Sequence, residues 1–173
     1  ESGIQMSLWV CLLGVVIYGF ALSARGHRVE IVEREAEWRF QSSGIFVYAN
    51  GLVSMDALGL MEDIVAAGFT VPEGRNAYYD HTGAPIVETR YPAADGGRIP
   101  AILGIKRAEM HRVMAARVEA LGVPMRLGTT IVGVAQDADG VTAAFSDSTE
   151  GRFDLVIGAD GVRSSTRAMI GID

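Results

Sequence analysis

The sequence predicts an α/β fold: a parallel sheet with helices and an inserted antiparallel β-hairpin or meander. Three observations point to it. Leu155, Val156 and Ile157 run without polar alternation into Gly158-Ala159-Asp160-Gly161, which reads as a buried parallel strand ending in a tight turn. Gly26 to Arg34 alternates polar and apolar residues and ends in an acid, as the second strand of a dinucleotide-type unit does. A helix from Arg107 to Leu121, with Met110, Val113, Met114, Val118 and Leu121 spaced for burial, stops at Gly122. Val123 to Leu127 then reads as a third parallel strand.

The first 25 residues admit more than one reading. From Gly3 to Ala24 no residue is charged, and Leu8 to Leu22 is almost wholly apolar. A membrane span needs about 20 such residues. A signal peptide would need a basic start, where the only charge is Glu1. The competing reading is the first strand and buried helix of a βαβ unit, closed by Arg25-Gly26. The strand that follows favours this second reading. Glu33 lies 19 residues after Gly14, the spacing between a phosphate-loop glycine and the carboxylate that binds a ribose. Its bland alternative is a solvated acid at a strand end. The Gly-x-Gly-x-x-Gly frame placed on Gly14 reads Trp9-Val10-Cys11-Leu12-Leu13-Gly14, so two of its three glycines are replaced.

Further along, Asn50 is expected to cap a helix carrying Leu52, Val53 and Leu58, with Gly59 ending it. A second short helix, Leu60 to Ala67, stacks Leu60, Met61, Ile64 and Val65 on one face. Residues 75 to 90 read as a hairpin around Asp80-His81-Thr82-Gly83. His81 has no second His or Cys nearby at ligand spacing, so it reads as a turn residue. Ala93 to Pro100 is expected to be an exposed loop, and Ile102 to Ile105 a short apolar run. Ile131 to Ala135 and Val141 to Phe145 form a hairpin over Asp137-Ala138-Asp139-Gly140, and Arg152 to Ile157 returns to the parallel sheet. There Asp160 would carry its charge to the crevice beyond a strand end, Gly161 would let a ligand approach the backbone, and Ser164 would cap the next helix. The residues alone fit equally well a strand, a turn and a capped helix with a solvated Arg167.

A chain of 173 residues, 49% of them hydrophobic, suits one domain with a core. The net charge of −6, without a basic run, argues against a nucleic-acid partner. Cys11 is the single cysteine, which excludes an internal disulfide framework and fits a reducing compartment. The chain begins with Glu and stops six residues after Arg167, and is expected to be a piece of something longer.

The run Asp154-Leu155-Val156-Ile157-Gly158-Ala159-Asp160-Gly161-Val162-Arg163-Ser164-Ser165-Thr166-Arg167 resembles the Asp-Gly fingerprint of single-component FAD-dependent aromatic hydroxylases, the flavoprotein monooxygenases of the p-hydroxybenzoate hydroxylase type. Glu33-Arg34, the loop Glu37 to Ile45, Asn50-Gly51-Leu52, Asp56 to Leu60, Arg107 to Arg112 and Asp137 to Thr142 are similar to the same family. The resemblance covers residues 14 to 173 and implies a Rossmann-like FAD-binding fold, with 1–173 as the FAD-binding domain of a larger enzyme. The second FAD motif and the substrate-binding sheet would lie beyond residue 173. It implies a cofactor set of Gly14, Glu33, Arg34, Arg39, Gly44, Arg107, Ile131, Asp160 and Gly161. In that set Glu33 binds a ribose, Arg39 either meets a phosphate or is a solvated loop arginine, and the strand near Ile131 offers a backbone contact to the adenine. Arg107 at a helix start opposes the helix dipole, a conflict that an anionic ligand would relieve. The implied reaction uses FAD and NAD(P)H to hydroxylate a small aromatic substrate. The flavin carries that chemistry, so no catalytic acid or base and no metal is expected here. A cytoplasmic protein that binds neither nucleic acid nor membrane is expected, its oligomeric state left open and the isolated piece inactive. Two other classes stay open: a non-catalytic nucleotide-binding module, and a membrane-anchored domain inserted through residues 4–22.

Overall fold

The computed structural model describes residues 3–5, 19–38, 43–161 and 163–172. The chain divides into two compact units, Glu1–Arg39 with Met114–Asp173, and Phe40–Val113.

In the first unit, β1 (Gly3–Gln5) pairs in parallel with β2 (Arg28–Val29) on one side and with β13 (Leu155–Val156) on the other. After β2 the chain crosses Glu30 into β3 (Ile31–Glu33), which pairs in parallel with β9 (Met125–Leu127). The parallel segments therefore run in the order β9, β2/β3, β1, β13. Such a sheet needs helical crossovers. The first is helix α1, described over 19–23, where Phe20 is buried and Gly19 faces Ile31. It closes as expected: the Ala24 N–H still bonds to the Phe20 carbonyl, and Gly26 turns the chain at φ +83°. Ile31 and Val32 are fully buried, as strand centres covered on both faces should be.

Between β9 and β13 lies the expected insertion, a three-stranded antiparallel meander of β10 (Ile131–Asp137), β11 (Gly140–Phe145) and β12 (Glu150–Phe153). Ile131, Ala143, Phe145 and Phe153 form one core with Val32 of the parallel sheet. The two rings meet edge to face at 6.3 Å. Arg126 of β9 staples the insertion to the sheet: it reaches Glu30 at 3.1 Å, Asp147 at 2.6 Å and Thr149 at 2.7 Å, with its guanidinium 4.3 Å above the Phe145 ring.

One expectation changes here. Residues 152–157 are not one returning strand. Phe153 belongs to the meander, antiparallel to β11, and only Leu155–Val156 joins the parallel sheet. Nor is that strand buried, since Leu155 is 48% exposed. Among the described residues β13 pairs with β1 alone, and its apolar run is covered only in part. The chain then passes the Gly158–Gly161 turn into α5 (Ser165–Met169).

In the second unit, β4 (Gly44–Tyr48), β8 (Ile102–Lys106) and β5 (Phe69–Thr70) form an antiparallel sheet with β8 in the centre. Helices α2 (Ala49–Ala57) and α3 (Met61–Ala67) connect β4 to β5. Leu52 and Met55 of α2, Ile64 of α3 and Leu60 between the helices are buried, as are Leu103 and Ile105 of β8. Tyr48, not Asn50, holds the cap position of α2. Asn50 lies inside the first turn, where its side chain accepts from the Gly51 N–H at 2.9 Å, and Val53 faces solvent. Gly59 turns the chain at φ +67°, as expected.

β6 (Arg75–Tyr79) and β7 (Pro85–Arg90) make the hairpin around the Asp80–Gly83 turn, whose Asp80 carboxylate accepts from the Thr82 and Ala84 N–H groups at 2.8 and 2.9 Å. The 93–100 loop is not simply exposed. Ile99 is buried, Ala94 and Ile99 bridge, and Arg98 grips Asp56 with two bonds of 2.9 and 2.7 Å. Helix α4 (Arg107–Ala120) runs from this unit into the first. Met110, Met114 and Val118 are buried as its spacing predicts, but Leu121, just past its end, is exposed.

Candidate functional site: the carboxyl ends of the parallel strands

Parallel strands place their carboxyl ends on one side, where ligands of such sheets bind. Glu33 is the last residue of β3 and the most buried acid described, at 3% exposure. Its Oε1 accepts from the Glu35 N–H at 2.8 Å, and its carbonyl accepts from the Thr129 N–H at 3.0 Å. The second bond seats the start of β10, and so Ile131, beside the end of β3. Burial pushes the Glu33 carboxyl above its ordinary pKa, against the lowering effect of the Glu35 N–H. A desolvated carboxylate gains from a ligand that donates hydrogen bonds.

Asp160 and Gly161 lie beyond the end of β13, on the same side of the sheet as Glu33. The Asp160 carboxylate is turned towards α5. It accepts from the Ser164 hydroxyl, from the Ser165 hydroxyl at 3.2 Å and from the Thr166 N–H at 2.9 Å. Ser164 in turn caps α5 as expected, accepting from the Arg167 N–H at 2.9 Å. Burial raises the Asp160 pKa, but the bonds from Ser164 and Thr166 outweigh it and hold the carboxyl below its usual value. Asp160 is thus a clasp that orders the 158–166 turn, and Gly161 completes it at φ +79°. Next to this turn is a cavity of about 540 Å³ between the meander and α5, walled by Val134, Val141, Val156 and Met169.

Sequence reasoning saw Ser164 as a cap and missed that Asp160, Ser165 and Thr166 close the same turn. The signal was an acid followed by three consecutive hydroxyl residues. It also missed buried Thr129, for which no local pattern speaks.

The remaining expected residues are dispersed. Ile131 opens β10 with its side chain in the meander core. Arg34 is exposed, 3.8 Å from the Glu35 carboxylate. Gly44 opens β4 opposite Lys106, and Arg107 opens α4 with its N–H bonded to the Ser43 carbonyl at 2.7 Å; both belong to the second unit. His111 of α4 is buried, and burial with the nearby Arg107 charge pushes its pKa down to about 4. Gly14 and Arg39 lie outside the described residues, as do Trp9, Cys11 and most of the 4–22 stretch that carried the membrane reading. Among the described residues no helix is long and apolar enough to cross a membrane, and no His, Cys, Asp or Glu cluster could hold a metal ion.

This donor set suits a dinucleotide: a desolvated acceptor at one strand end, and a clasped glycine turn two strands away. The family model described as FAD binding domain matches residues 14–173. The chain belongs to the FAD binding domain family. It is 29% identical over 159 residues to the rifampicin monooxygenase of Streptomyces venezuelae, covering 92% of this chain and 32% of that protein. It is 28% identical over 176 residues to the 3-amino-4-hydroxybenzoate 2-monooxygenase of Streptomyces cremeus, covering 96% of this chain and 43% of that one. The p-nitrophenol 4-monooxygenase of Pseudomonas putida superposes with a TM-score of 0.85 at 22% identity, over 98% of this chain and 43% of that one, and so shares the fold. This FAD binding domain therefore spans less than half the length of the relatives it matches, and FAD is the cofactor its family holds.

Proposed function

We propose that this FAD binding domain is the cofactor-holding part of an NAD(P)H-dependent flavoprotein monooxygenase that hydroxylates an aromatic or related small molecule. The observation that carries the reading is the buried Glu33 carboxylate at the carboxyl end of β3. Bound FAD would supply the redox chemistry, taking electrons from NAD(P)H and activating oxygen. The chain's own residues bind and orient. Glu33 accepts from ribose hydroxyls, and the backbone at Thr129–Ile131 flanks the adenine. Arg39 and Arg107 offset phosphate charge. Asp160 acts through its clasp, holding the backbone of Gly161 towards the cofactor side. Arg34 and Gly44 complete the set, and Gly14 ends the phosphate loop. The names of the two monooxygenase relatives support an aromatic substrate. Residues 1–173 act as one FAD-binding domain, in a cytoplasmic protein.

Trp9 and Cys11 stand where a phosphate loop has glycines. A non-glycine residue forced into a strained backbone region costs about 1–3 kcal/mol, and about 1.4 kcal/mol already weakens binding tenfold. FAD affinity should therefore be poor, and Trp9→Gly with Cys11→Gly should improve it at least about tenfold. Flavin fluorescence titration of both proteins decides the matter. Equal affinities would remove residues 9–14 from the phosphate-binding role, and FAD binding indifferent to Glu33→Ala would overturn the reading of the site.

A further inference from the structure

The end of β3 is held by the loop that follows β9. The two strands stay in register to their last residues, with Glu33 opposite Leu127. Beyond them the Gly128 N–H donates to the Glu35 carbonyl at 2.9 Å, and the Thr129 N–H donates to the Glu33 carbonyl at 3.0 Å. Successive N–H groups of an extended chain point to opposite sides. Two in a row that reach the same neighbouring segment need a turn between them, and Gly128 supplies it at φ +70°. A residue with a side chain resists that conformation. Space is not the constraint, since a Cβ on Gly128 would come no closer than 3.8 Å, to Ala36. The backbone conformation is what calls for glycine here.

Both bonds bear on the carboxylate. They pin the carbonyls of Glu33 and Glu35, one at each end of a three-residue turn. The Glu35 N–H inside that turn donates to Glu33 Oε1 at 2.8 Å. Glu33 is buried, so this bond and its surroundings, more than water, set the direction of its carboxylate. We infer that Gly128 is a positioning residue for Glu33, its left-handed turn fixing residues 33–35 so that the carboxylate meets the hydroxyls of a nucleotide ribose. This rests on the reading of Glu33 as the ribose acceptor and names the part of the chain that aims it.

The probes are ADP and 2′,3′-dideoxy-ADP, which differ only in the hydroxyls that Glu33 would accept from, titrated against the 173-residue chain by NMR. The wild-type chain should prefer ADP by at least about tenfold, the worth of hydrogen bonds to a charged acceptor. Gly128→Ala should cut that preference to about threefold or less. Gly128→Asn, whose side chain tolerates the left-handed region, should keep most of it. In a Glu33→Ala background, Gly128→Ala should change the preference no further. A glycine that only supported the fold would weaken both nucleotides alike, and a Gly128→Ala chain with the wild-type preference would overturn the proposal. A second readout needs no variant: ADP should slow amide exchange at Glu35, Gly128 and Thr129 together, by at least about threefold, whereas the dideoxy nucleotide should not. Unchanged exchange at these amides with ADP bound would equally overturn it. A wild-type chain that binds neither nucleotide, or both equally, would bring down the ribose reading of Glu33 and this inference with it. An unaltered preference in Gly128→Ala alone would leave that reading standing.

Discussion

Glu33 and Asp160 show how differently two acids at strand ends are used. Glu33 is desolvated, and its pKa is raised above the usual 4.5. An acid whose folded-state pKa exceeds its unfolded value binds protons more readily when folded, so stability falls as pH rises from the unfolded to the folded pKa. At neutral pH ionised Glu33 therefore costs the free protein stability. Glu33→Gln keeps the acceptor for the Glu35 N–H and removes that cost. The melting temperature of the cofactor-free protein should rise, by up to a few degrees for about 1 kcal/mol, while FAD affinity drops. A variant that loses both would mean that the carboxylate is structural. Asp160 is the opposite case, its charge satisfied by Ser164, Ser165 and Thr166. Asp160→Ala removes the acceptor for the Ser164 and Ser165 hydroxyls and the Thr166 N–H, at a cost of about 1–3 kcal/mol, and should loosen FAD retention in a full-length protein through the Gly161 turn. Asp160→Asn keeps an acceptor and should recover most of both. If Asn fails as badly as Ala while both fold normally, the charge itself faces the cofactor.

The meander is the element whose packing sets the geometry of the strand ends. Phe145 and Phe153 are buried against Val32, which is next to Glu33 in β3, so the insertion and the cofactor side share one core. Phe145→Ala should cost about 3–5 kcal/mol, a large fraction of the roughly 5–15 kcal/mol that holds a domain together. Arg126 would lose the ring beneath its guanidinium at the same time. Urea unfolding monitored by circular dichroism measures the loss. A change under about 1 kcal/mol would mean that the meander folds independently of the parallel sheet. The elements themselves were mostly legible. The 131–145 hairpin, the α4 periodicity and the 26–34 strand all follow from alternation, helical spacing and glycine placement, which act over a few residues. The split of 152–157 into two strands was not legible, because each half carries strand-forming residues, Phe153 in one and Leu155, Val156 and Ile157 in the other. Only the neighbour each half finds, β11 for Phe153 and β1 for Leu155, separates them.

For the molecule as a whole, the coverage of its relatives leads to a prediction about activity. The 173-residue chain spans less than half of each monooxygenase it matches. With added FAD it should show no substrate-dependent NAD(P)H oxidation across a panel of phenols, followed at the nicotinamide absorbance band; turnover that depends on the phenol would refute this. The sequence by itself determined the fold class, the family and the chemistry available at Glu33, Asp160 and Gly161. Those depend on residue type, local spacing and the propensity of short segments. The tertiary structure alone decided that Glu33 is desolvated. It also decided that, among the described residues, β13 pairs with β1 alone and β7 is exposed along its whole length. Burial and strand pairing are set by segments tens of residues apart in the chain, and no local pattern encodes which of them will meet.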